Sequence, residues 1–205
     1  MYLDDYKRWQ EARLDDPALT AELAAIAGDD NEIKERFAVA LKFGTAGLRG
    51  VLGAGSNRMN IYTVRQATQG LANWVKTQGG NQLVAISYDS RIKSDVFAKA
   101  AAEVLAANGI KVHIYTELMP TPMLSYAVRA QKCSAGIMVT ASHNPAKYNG
   151  YKVYGEDGAQ MSPEDTEKVV GYISKIDDYL SASGEENSPL ILPVPEKLDE
   201  DYIEA

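Results

Sequence analysis

The chain has 205 residues, of which 45% are hydrophobic and 24% are charged, and its formal net charge is -7. This length and composition predict one ordinary hydrophobic core, or one domain with loosely attached ends. The acidic balance argues against non-specific nucleic-acid binding, the absence of a long apolar run argues against a membrane span, and the acidic N-terminus argues against a signal peptide, so we expect a cytoplasmic protein.

Three short helical patterns open the chain, and the second has Asp16 as a candidate cap. They cover residues 3–13, 17–27 and 31–41. Residues 43–60 then hold five glycines and little periodicity, which is typical of a functional loop or a tight hairpin. Strands and helices alternate from there, with Asn60 and Ser94 as candidate helix caps. The predicted strands are 82–88, 111–115, 135–140 and 151–154, and the predicted helices are 61–78, 95–108, 121–131 and 162–176.

This alternation predicts an α/β layer architecture, in which functional residues gather at the carboxyl ends of the strands. Three loops occupy such ends, at residues 89–91, 119–122 and 140–150. The single cysteine, Cys133, cannot form an internal disulfide and is interpreted as a packing residue. Residues 181–195 are rich in Ser, Glu and Pro, which favours a linker.

Residues 140–152, Thr-Ala-Ser-His-Asn-Pro-Ala-Lys-Tyr-Asn-Gly-Tyr-Lys, concentrate polar groups behind a buried strand. One interpretation is a hydrolase with Ser142 as nucleophile and His143 as base. Adjacent residues leaving a strand point in roughly opposite directions, so we expect His143 to be badly placed to deprotonate Ser142, and no Gly-x-Ser-x-Gly elbow is present. The other interpretation is a phosphoryl group on Ser142, held by the cationic and amide donors of the loop. Lys152 and His143 are then candidates for proton transfer.

A second stretch, Phe-Gly-Thr-Ala-Gly-Leu-Arg-Gly at 43–50, has glycines that let the backbone approach a ligand and one arginine suited to phosphate. By itself this pattern is equally compatible with a plain turn. It matches neither a Walker A loop nor the dinucleotide-binding spacing.

Taken together, several motifs occur in a fixed order: the stretch at 43–50, Tyr-Asp-Ser-Arg at 88–91, Thr-Pro at 121–122, Thr-Ala-Ser-His-Asn-Pro at 140–145, Tyr-Asn-Gly at 148–150, and Lys152. With them the chain resembles the first domain of the α-D-phosphohexomutase superfamily, from about residue 43 to 176. Residues 57–60 and 151–155 are most similar to its phosphoglucomutase/phosphopentomutase branch. The resemblance implies a three-layer α/β/α domain with a mixed, mainly parallel sheet, preceded by N-terminal helices.

The resemblance also implies an activity. Ser142 is expected to be phosphorylated and to donate its phosphoryl group to a sugar monophosphate. The bisphosphorylated sugar then turns over and returns its other phosphate to the serine. The net reaction interconverts hexose 1-phosphate and 6-phosphate, with glucose preferred and a sugar bisphosphate as activator.

The same resemblance assigns roles to individual residues. Arg49 is expected beside the phosphoserine, with His143 and Lys152 as acid/base candidates. Supporting phosphate or substrate contacts are expected from Thr45, Thr140 and Asn144. Asp89 and Arg91 are interpreted as an ion pair behind the site, because such a pair at a strand end is more often structural. The implied metal is Mg²⁺, bound by a phosphoryl oxygen on Ser142 and by three aspartates of a second domain.

The sequence also departs from the family. It contains no Asp-Gly-Asp-x-Asp-Arg metal loop and no Gly-Glu-x-Ser-Gly sugar loop. We therefore expect a fragment that is inactive alone, with a helical segment at 1–42, the phosphoserine domain at 43–180, and at 181–205 a linker and the start of an absent domain. The expected partners are a sugar phosphate and the other domains of the same parent chain. A non-catalytic module that binds sugar phosphate or protein remains the alternative.

Overall fold

The computed structural model describes residues 1–45, 47–178, 180, 182 and 184–204. Its helices are α1 (Tyr2–Glu11), α2 (Pro17–Ala25), α3 (Asp30–Phe37), α4 (Ile61–Gln78), α5 (Ser94–Ala107), α6 (Thr121–Ala130), α7 (Pro163–Ile173) and α8 (Lys197–Glu204). Its strands are β1 (Gly47–Val51), β2 (Leu83–Tyr88), β3 (Lys111–Ile114), β4 (Ala135–Val139), β5 (Tyr148–Tyr154) and β6 (Ile191–Pro193). Among the described residues, no helix combines the length and the apolar character needed to cross a bilayer.

The strands form one six-stranded sheet in the order β1-β5-β4-β2-β3-β6. Strands β2, β3, β4 and β6 are parallel, and β5 runs antiparallel to β1 and β4. Because side chains alternate across a strand, Val84 and Ile86 pack with α4 and α5, whereas Leu83 and Ala85 pack with α6 on the other face. This arrangement confirms the predicted α/β/α fold with a mixed, mainly parallel sheet.

The glycine-rich segment forms a strand, which sequence periodicity did not predict. Gly47–Val51 pairs antiparallel with β5, and β5 begins at Tyr148 rather than at residue 151. A Cβ on Gly150 would lie 2.6 Å from the Thr140 carbonyl oxygen and 3.0 Å from that of Leu48. Only glycine therefore allows this close approach in β5. In β1, a Cβ on Gly47 would clash with the Tyr151 carbonyl oxygen, so the glycine that helped to disguise this strand is also required by its packing.

The N-terminal helices pack on the α4 side of the sheet. Trp9 is fully buried, and its ring meets Phe37 and Tyr62 edge-on, with centroid distances of 5.9 and 5.4 Å. Trp9 is therefore a packing residue of the core. Aromatic contacts of this kind add to the burial of apolar area and fix the helices against the α/β layers.

The C-terminal segment contributes to the sheet. Strand β6 pairs in parallel with β3, and α8 contacts α6, where the rings of Tyr126 and Tyr202 are 5.4 Å apart. Ser181, Ser183 and Ala205, which belong to the predicted linker and the segment after it at 181–205, lie outside the described residues. The division of the chain at residues 42 and 180 stays a prediction.

Candidate functional site

Polar loops meet at the carboxyl ends of β2 and β4. Residues 140–147, called here the serine loop, follow β4, and the backbone N–H of Asp89, just after β2, donates to the Val139 carbonyl at 3.2 Å. The loop after β3 reaches the same edge, because the Met119 N–H donates to the Tyr88 carbonyl at 3.3 Å. The three loops singled out in the sequence therefore share one edge of the sheet, as parallel strands require.

Ser142 is exposed and has a left-handed backbone, with φ of 56°. Its Oγ lies 3.3 Å from Nδ1 of His143. The expectation that these neighbours diverge was therefore wrong. It assumed extended geometry, whereas the left-handed turn at Ser142 brings consecutive side chains together.

Asp89 organises the base of the serine loop. Its Oδ2 accepts a 2.6 Å hydrogen bond from the Thr140 hydroxyl, which in turn accepts one of 2.9 Å from the Ser142 N–H. The other oxygen, Oδ1, accepts from the Arg91 N–H at 3.0 Å and from the Ser94 hydroxyl at 2.9 Å. Both oxygens of the carboxylate thus accept hydrogen bonds from donors of the protein itself.

Arg91 lies beneath the serine loop and donates to its backbone. Nη1 reaches the carbonyls of Pro145 and Tyr148 at 3.3 and 3.2 Å, and Nη2 reaches those of Asn144, at 2.8 Å, and Ser142. Its Nε is 3.5 Å from Oδ2 of Asp89. The ion pair expected at this strand end is present, and it is one part of a larger set of contacts.

Two residues that sequence reasoning did not assign to the site support it from below. Asn149 is fully buried, and its amide donates to the Ile92 carbonyl and to the Ser94 hydroxyl, both at 3.0 Å. Ser94 was predicted as a helix cap, but the N-cap position belongs to Lys93, and the Ser94 hydroxyl bonds Asp89 instead. The position of Ser94 in the sequence fits both a helix cap and a hydrogen bond to Asp89, so the sequence carried no signal that separates these two roles.

Arg49 connects β1 to the serine loop, since its Nη1 lies 3.4 Å from Oδ1 of Asn144. A cavity of about 460 Å³ lies beside it and is lined by Thr45, Lys152 and Lys42 as well as Arg49. Lys42 was not predicted as a site residue, because it follows a helical pattern and lysine is common at the end of a helix. Within the part of the chain that the structure describes, no acidic side chain lines this cavity.

A second cavity, of about 420 Å³, contains the proposed carrier. Its walls include Ser142, Asn144, Asp89 and Arg91. The Arg49–Asn144 contact lies between the two cavities, since each residue lines one of them. The structure therefore places Ser142, His143 and Asn144 on one loop, in which Asn144 contacts Arg49, while Arg49, Thr45 and Lys152 line the neighbouring cavity.

Tyr151 precedes Lys152 in β5 but is not suited to proton transfer. It is fully buried, and its hydroxyl accepts from that of Thr68 at 3.1 Å. Burial raises the pKa of Tyr151 well above its ordinary value. The phenol therefore stays neutral and closed off from solvent, whereas His143 is exposed and Lys152 is half-buried, so a ligand can reach both of these side chains.

The described residues do not by themselves fit a Mg²⁺ site. Over 1–45, 47–178, 180, 182 and 184–204, no group of three His, Cys, Asp or Glu residues is arranged to hold a metal ion. Asp89, the acidic residue in the wall of the Ser142 cavity, already accepts from protein donors on both oxygens. The hard oxygen ligands that Mg²⁺ prefers are therefore not assembled here.

The fold and the site define a class: an α/β/α domain that presents the exposed Ser142 beside basic and amide groups, an arrangement suited to a phosphorylated ligand. The family model described as "Phosphoglucomutase/phosphomannomutase, alpha/beta/alpha domain I" matches residues 40–180. The chain belongs to this family and corresponds to its first domain.

Individual relatives agree with this assignment. A phosphoglucomutase of Staphylococcus aureus is 42% identical over 177 residues, which are 85% of this chain and 32% of the relative. A solved structure from Thermus thermophilus that carries the name phosphomannomutase matches with a TM-score of 0.67 and 31% identity, over 81% of this chain and 35% of that one. A phosphoglucomutase/phosphomannomutase family protein from Burkholderia thailandensis gives 0.62 and 25%, over 79% and 34%. The chain thus spans about a third of the length of the relatives it matches.

Proposed function

We propose that this chain is the phosphoserine-carrying domain of a sugar-phosphate mutase that interconverts hexose 1-phosphate and 6-phosphate, with glucose preferred. The main support is the position of Ser142, which is exposed on a braced loop whose Asn144 contacts Arg49. A phosphoryl group there would carry nearly two negative charges, and basic side chains stabilise such a group in a chain that is otherwise acidic.

In the proposed reaction, phosphorylated Ser142 transfers its phosphoryl group to a free hydroxyl of a sugar monophosphate. The bond between Oγ and phosphorus breaks and Oγ takes up a proton, while a bond from phosphorus to the sugar oxygen forms and the hydroxyl proton passes to a base. The bisphosphorylated sugar then reorients. Its other phosphorus bonds to Oγ, which loses its proton to a base, while the bond from that phosphorus to the sugar oxygen breaks and an acid protonates the sugar oxygen. The serine ends as it began, so the net result is isomerisation of the sugar phosphate.

His143 and Lys152 are the proposed proton carriers, each for one direction of the transfer. His143 is next to the reacting oxygen, with Nδ1 3.3 Å from Oγ of Ser142. Lys152 shares a cavity with Arg49 and Thr45, where its ammonium also offsets phosphate charge. Arg49, Thr45, Thr140 and Asn144 are proposed to hold phosphate oxygens or the loop that carries them.

The complete activity is proposed to need the rest of a longer parent chain in the cytoplasm. Mg²⁺, when bound by a phosphoryl oxygen on Ser142 and by acidic residues of another domain, would neutralise charge on the transferring group. This chain supplies the serine, the basic groups and the proton carriers. Alone, it is expected to have negligible mutase activity.

The experiment uses intact-mass spectrometry of the chain and of its Ser142→Ala variant. Each is incubated with glucose 1,6-bisphosphate, Mg²⁺ and the separately produced remainder of the parent chain. We expect one added phosphoryl group that maps to Ser142 and is absent from the variant. If the assembled wild-type complex gains none, the carrier function is wrong, and the binding module becomes the better account. Ser90→Ala, which changes an exposed serine in the wall of the same cavity, is the matched control and should leave the mass gain intact.

A further inference from the structure

We propose that Arg91 is a positioning residue that holds the serine loop in the shape that presents Ser142 for phosphoryl transfer. The proposal deepens the proposed function and rests on it for the transfer step. It assigns Arg91 more than an ion pair at a strand end. It also separates Arg91 from the residues that touch phosphate, although Arg91 and Ser142 line the same cavity.

The groups that accept from Arg91 are main-chain carbonyls of the serine loop and of Tyr148. The guanidinium donates to the main-chain carbonyls of Ser142, Asn144, Pro145 and Tyr148. Bonds to main-chain atoms fix the path of the loop whatever its side chains are. They span the loop from Ser142 to the first residue of β5, so one side chain ties the whole turn to the end of β2.

The N–H groups of Arg91 are all directed at acceptors of the protein. A guanidinium has five N–H groups. Each terminal nitrogen reaches two carbonyls, and Nε faces Oδ2 of Asp89 at 3.5 Å. The side chain is only 15% exposed. All donors of Arg91 therefore point into the protein, and none is left for a phosphate oxygen, in contrast to the exposed Arg49.

The backbone of Ser142 itself is left-handed, with φ of 56°. A left-handed conformation is unfavourable for a residue other than glycine and persists only where surrounding contacts impose it. Arg91 holds the Ser142 carbonyl, while Thr140 accepts from the Ser142 N–H. Both peptide groups that define this conformation are thus restrained, and Oγ is placed beside His143 as a consequence.

Hydrogen exchange of the unphosphorylated 205-residue chain tests the proposal without any mutase activity. The reporters are the amides of Ser142, Asn144 and Tyr148, which are bonded to Thr140 Oγ1, Ala141 O and Pro145 O, and not to Arg91. In Arg91→Lys we expect these amides to exchange about tenfold faster or more, because a lysine cannot reproduce the planar fork. Amides of β4 should keep their rates.

Matched variants make this result specific. Arg49→Lys should leave the reporter amides unchanged, since Arg49 contacts only the side chain of Asn144 in the serine loop. In Arg91→Ala, guanidinium chloride at tens of millimolar should restore protection, whereas equal potassium chloride should not. Unchanged reporter amides in Arg91→Lys, or loop and β4 amides that accelerate together, would overturn the proposal.

Kinetics of the parent enzyme then separate positioning from phosphate binding. Misplacing a reacting group by about 1 Å costs roughly 100-fold in rate. Arg91→Lys should therefore lower kcat by about that factor and keep KM within about threefold. A raised KM with unchanged kcat would identify Arg91 as a phosphate ligand and overturn the proposal. If Ser142 proved not to carry a phosphoryl group, the effect of Arg91→Lys on hydrogen exchange would still hold. Failure of the carrier function and failure of the positioning role are therefore distinguishable.

Discussion

The Thr140 hydroxyl donates to Oδ2 of Asp89 at 2.6 Å and accepts from the Ser142 N–H at 2.9 Å. Because the hydroxyl hydrogen is used in the hydrogen bond to the carboxylate, a lone pair of the hydroxyl oxygen faces the Ser142 amide. Thr140 is 6% exposed, which keeps water from replacing either partner. The end of β2 and the turn at Ser142 are therefore joined through one buried hydroxyl group.

Replacement of Thr140 by valine removes this connection at nearly constant shape. It leaves Asp89 Oδ2 and the Ser142 N–H without the hydroxyl, and a lost buried partner costs about 1–3 kcal/mol. We expect Thr140→Val to lower the free energy of unfolding by about that amount in urea titration. Thr140→Ser keeps the hydroxyl and should lose less than half as much. Equal losses in both variants would show that the methyl group, not the hydroxyl, is what matters.

Gly150 allows three strands to approach one another, because a Cβ there would lie 2.6 Å from the Thr140 carbonyl oxygen. The obstacle is main chain in β1 and at the end of β4, which cannot rotate away. We expect Gly150→Ala to destabilise the domain by about 2–3 kcal/mol, measured as a lower urea midpoint.

The matched control for that substitution is Gly171→Ala. Gly171 lies in α7, is exposed, and would place a Cβ with no atom within 4 Å. Alanine should stabilise this helix by about 0.5–1 kcal/mol. A neutral Gly150→Ala would contradict the packing described for β1, β5 and β4.

Lys42 is predicted to attract phosphate to the cavity that it shares with Arg49 and Lys152. Lys42→Glu reverses a charge where no acidic side chain of the described residues balances the cations. We expect the affinity for inorganic phosphate to fall about tenfold at low salt, followed by the amide NMR signals of Gly44 and Gly47.

Lys34→Glu makes the same change in net charge on the exposed surface of α3. It should alter phosphate affinity by less than about twofold, because exposed charges far from a ligand are screened by salt. Equal effects of the two variants would mean that net charge, rather than this cavity, governs phosphate binding.

Local sequence signals were enough to predict much of the fold. Asn60 caps α4 through Oδ1, which accepts from the N–H groups of Tyr62 and Thr63 at 3.1 and 3.0 Å, and the helix ends at Gln78 as its pattern indicated. Strand β1 was missed because it is rich in glycine, and Gly47 is required where β1 closely approaches Tyr151 of β5. That requirement comes from tertiary packing and leaves no periodic signal.

The site was predictable as a set of residues but not as a geometry. The motifs identified Ser142 and Arg91, yet the turn that brings His143 beside Ser142 depends on carbonyls held by Arg91 from the loop after β2. Contacts between residues some fifty positions apart are invisible to reasoning about neighbours along the chain. Asn149 and Ser94 were missed for the same reason.

Cys133 is predicted to be unreactive in the folded chain. The residue is 1% exposed, and burial raises the pKa of its thiol to about 12. At pH 8 the folded thiol is protonated and shielded, so a disulfide reagent such as DTNB should react only at the rate of unfolding and completely in urea. Rapid reaction of the native chain would contradict the buried position.

The same thiol links stability to alkaline pH. The folded pKa of Cys133 lies above its ordinary value of 9.0, so the unfolded chain releases the proton first. Stability is therefore full below about pH 8.5 and falls as the pH rises towards the folded pKa near 12. By pH 10 the loss should be about 1–2 kcal/mol relative to pH 7. Cys133→Ala removes this contribution, so the difference between wild type and variant in urea titrations should shrink by that amount between pH 7 and 10. A difference that stays constant over this range would show that the thiol ionises equally readily in both states.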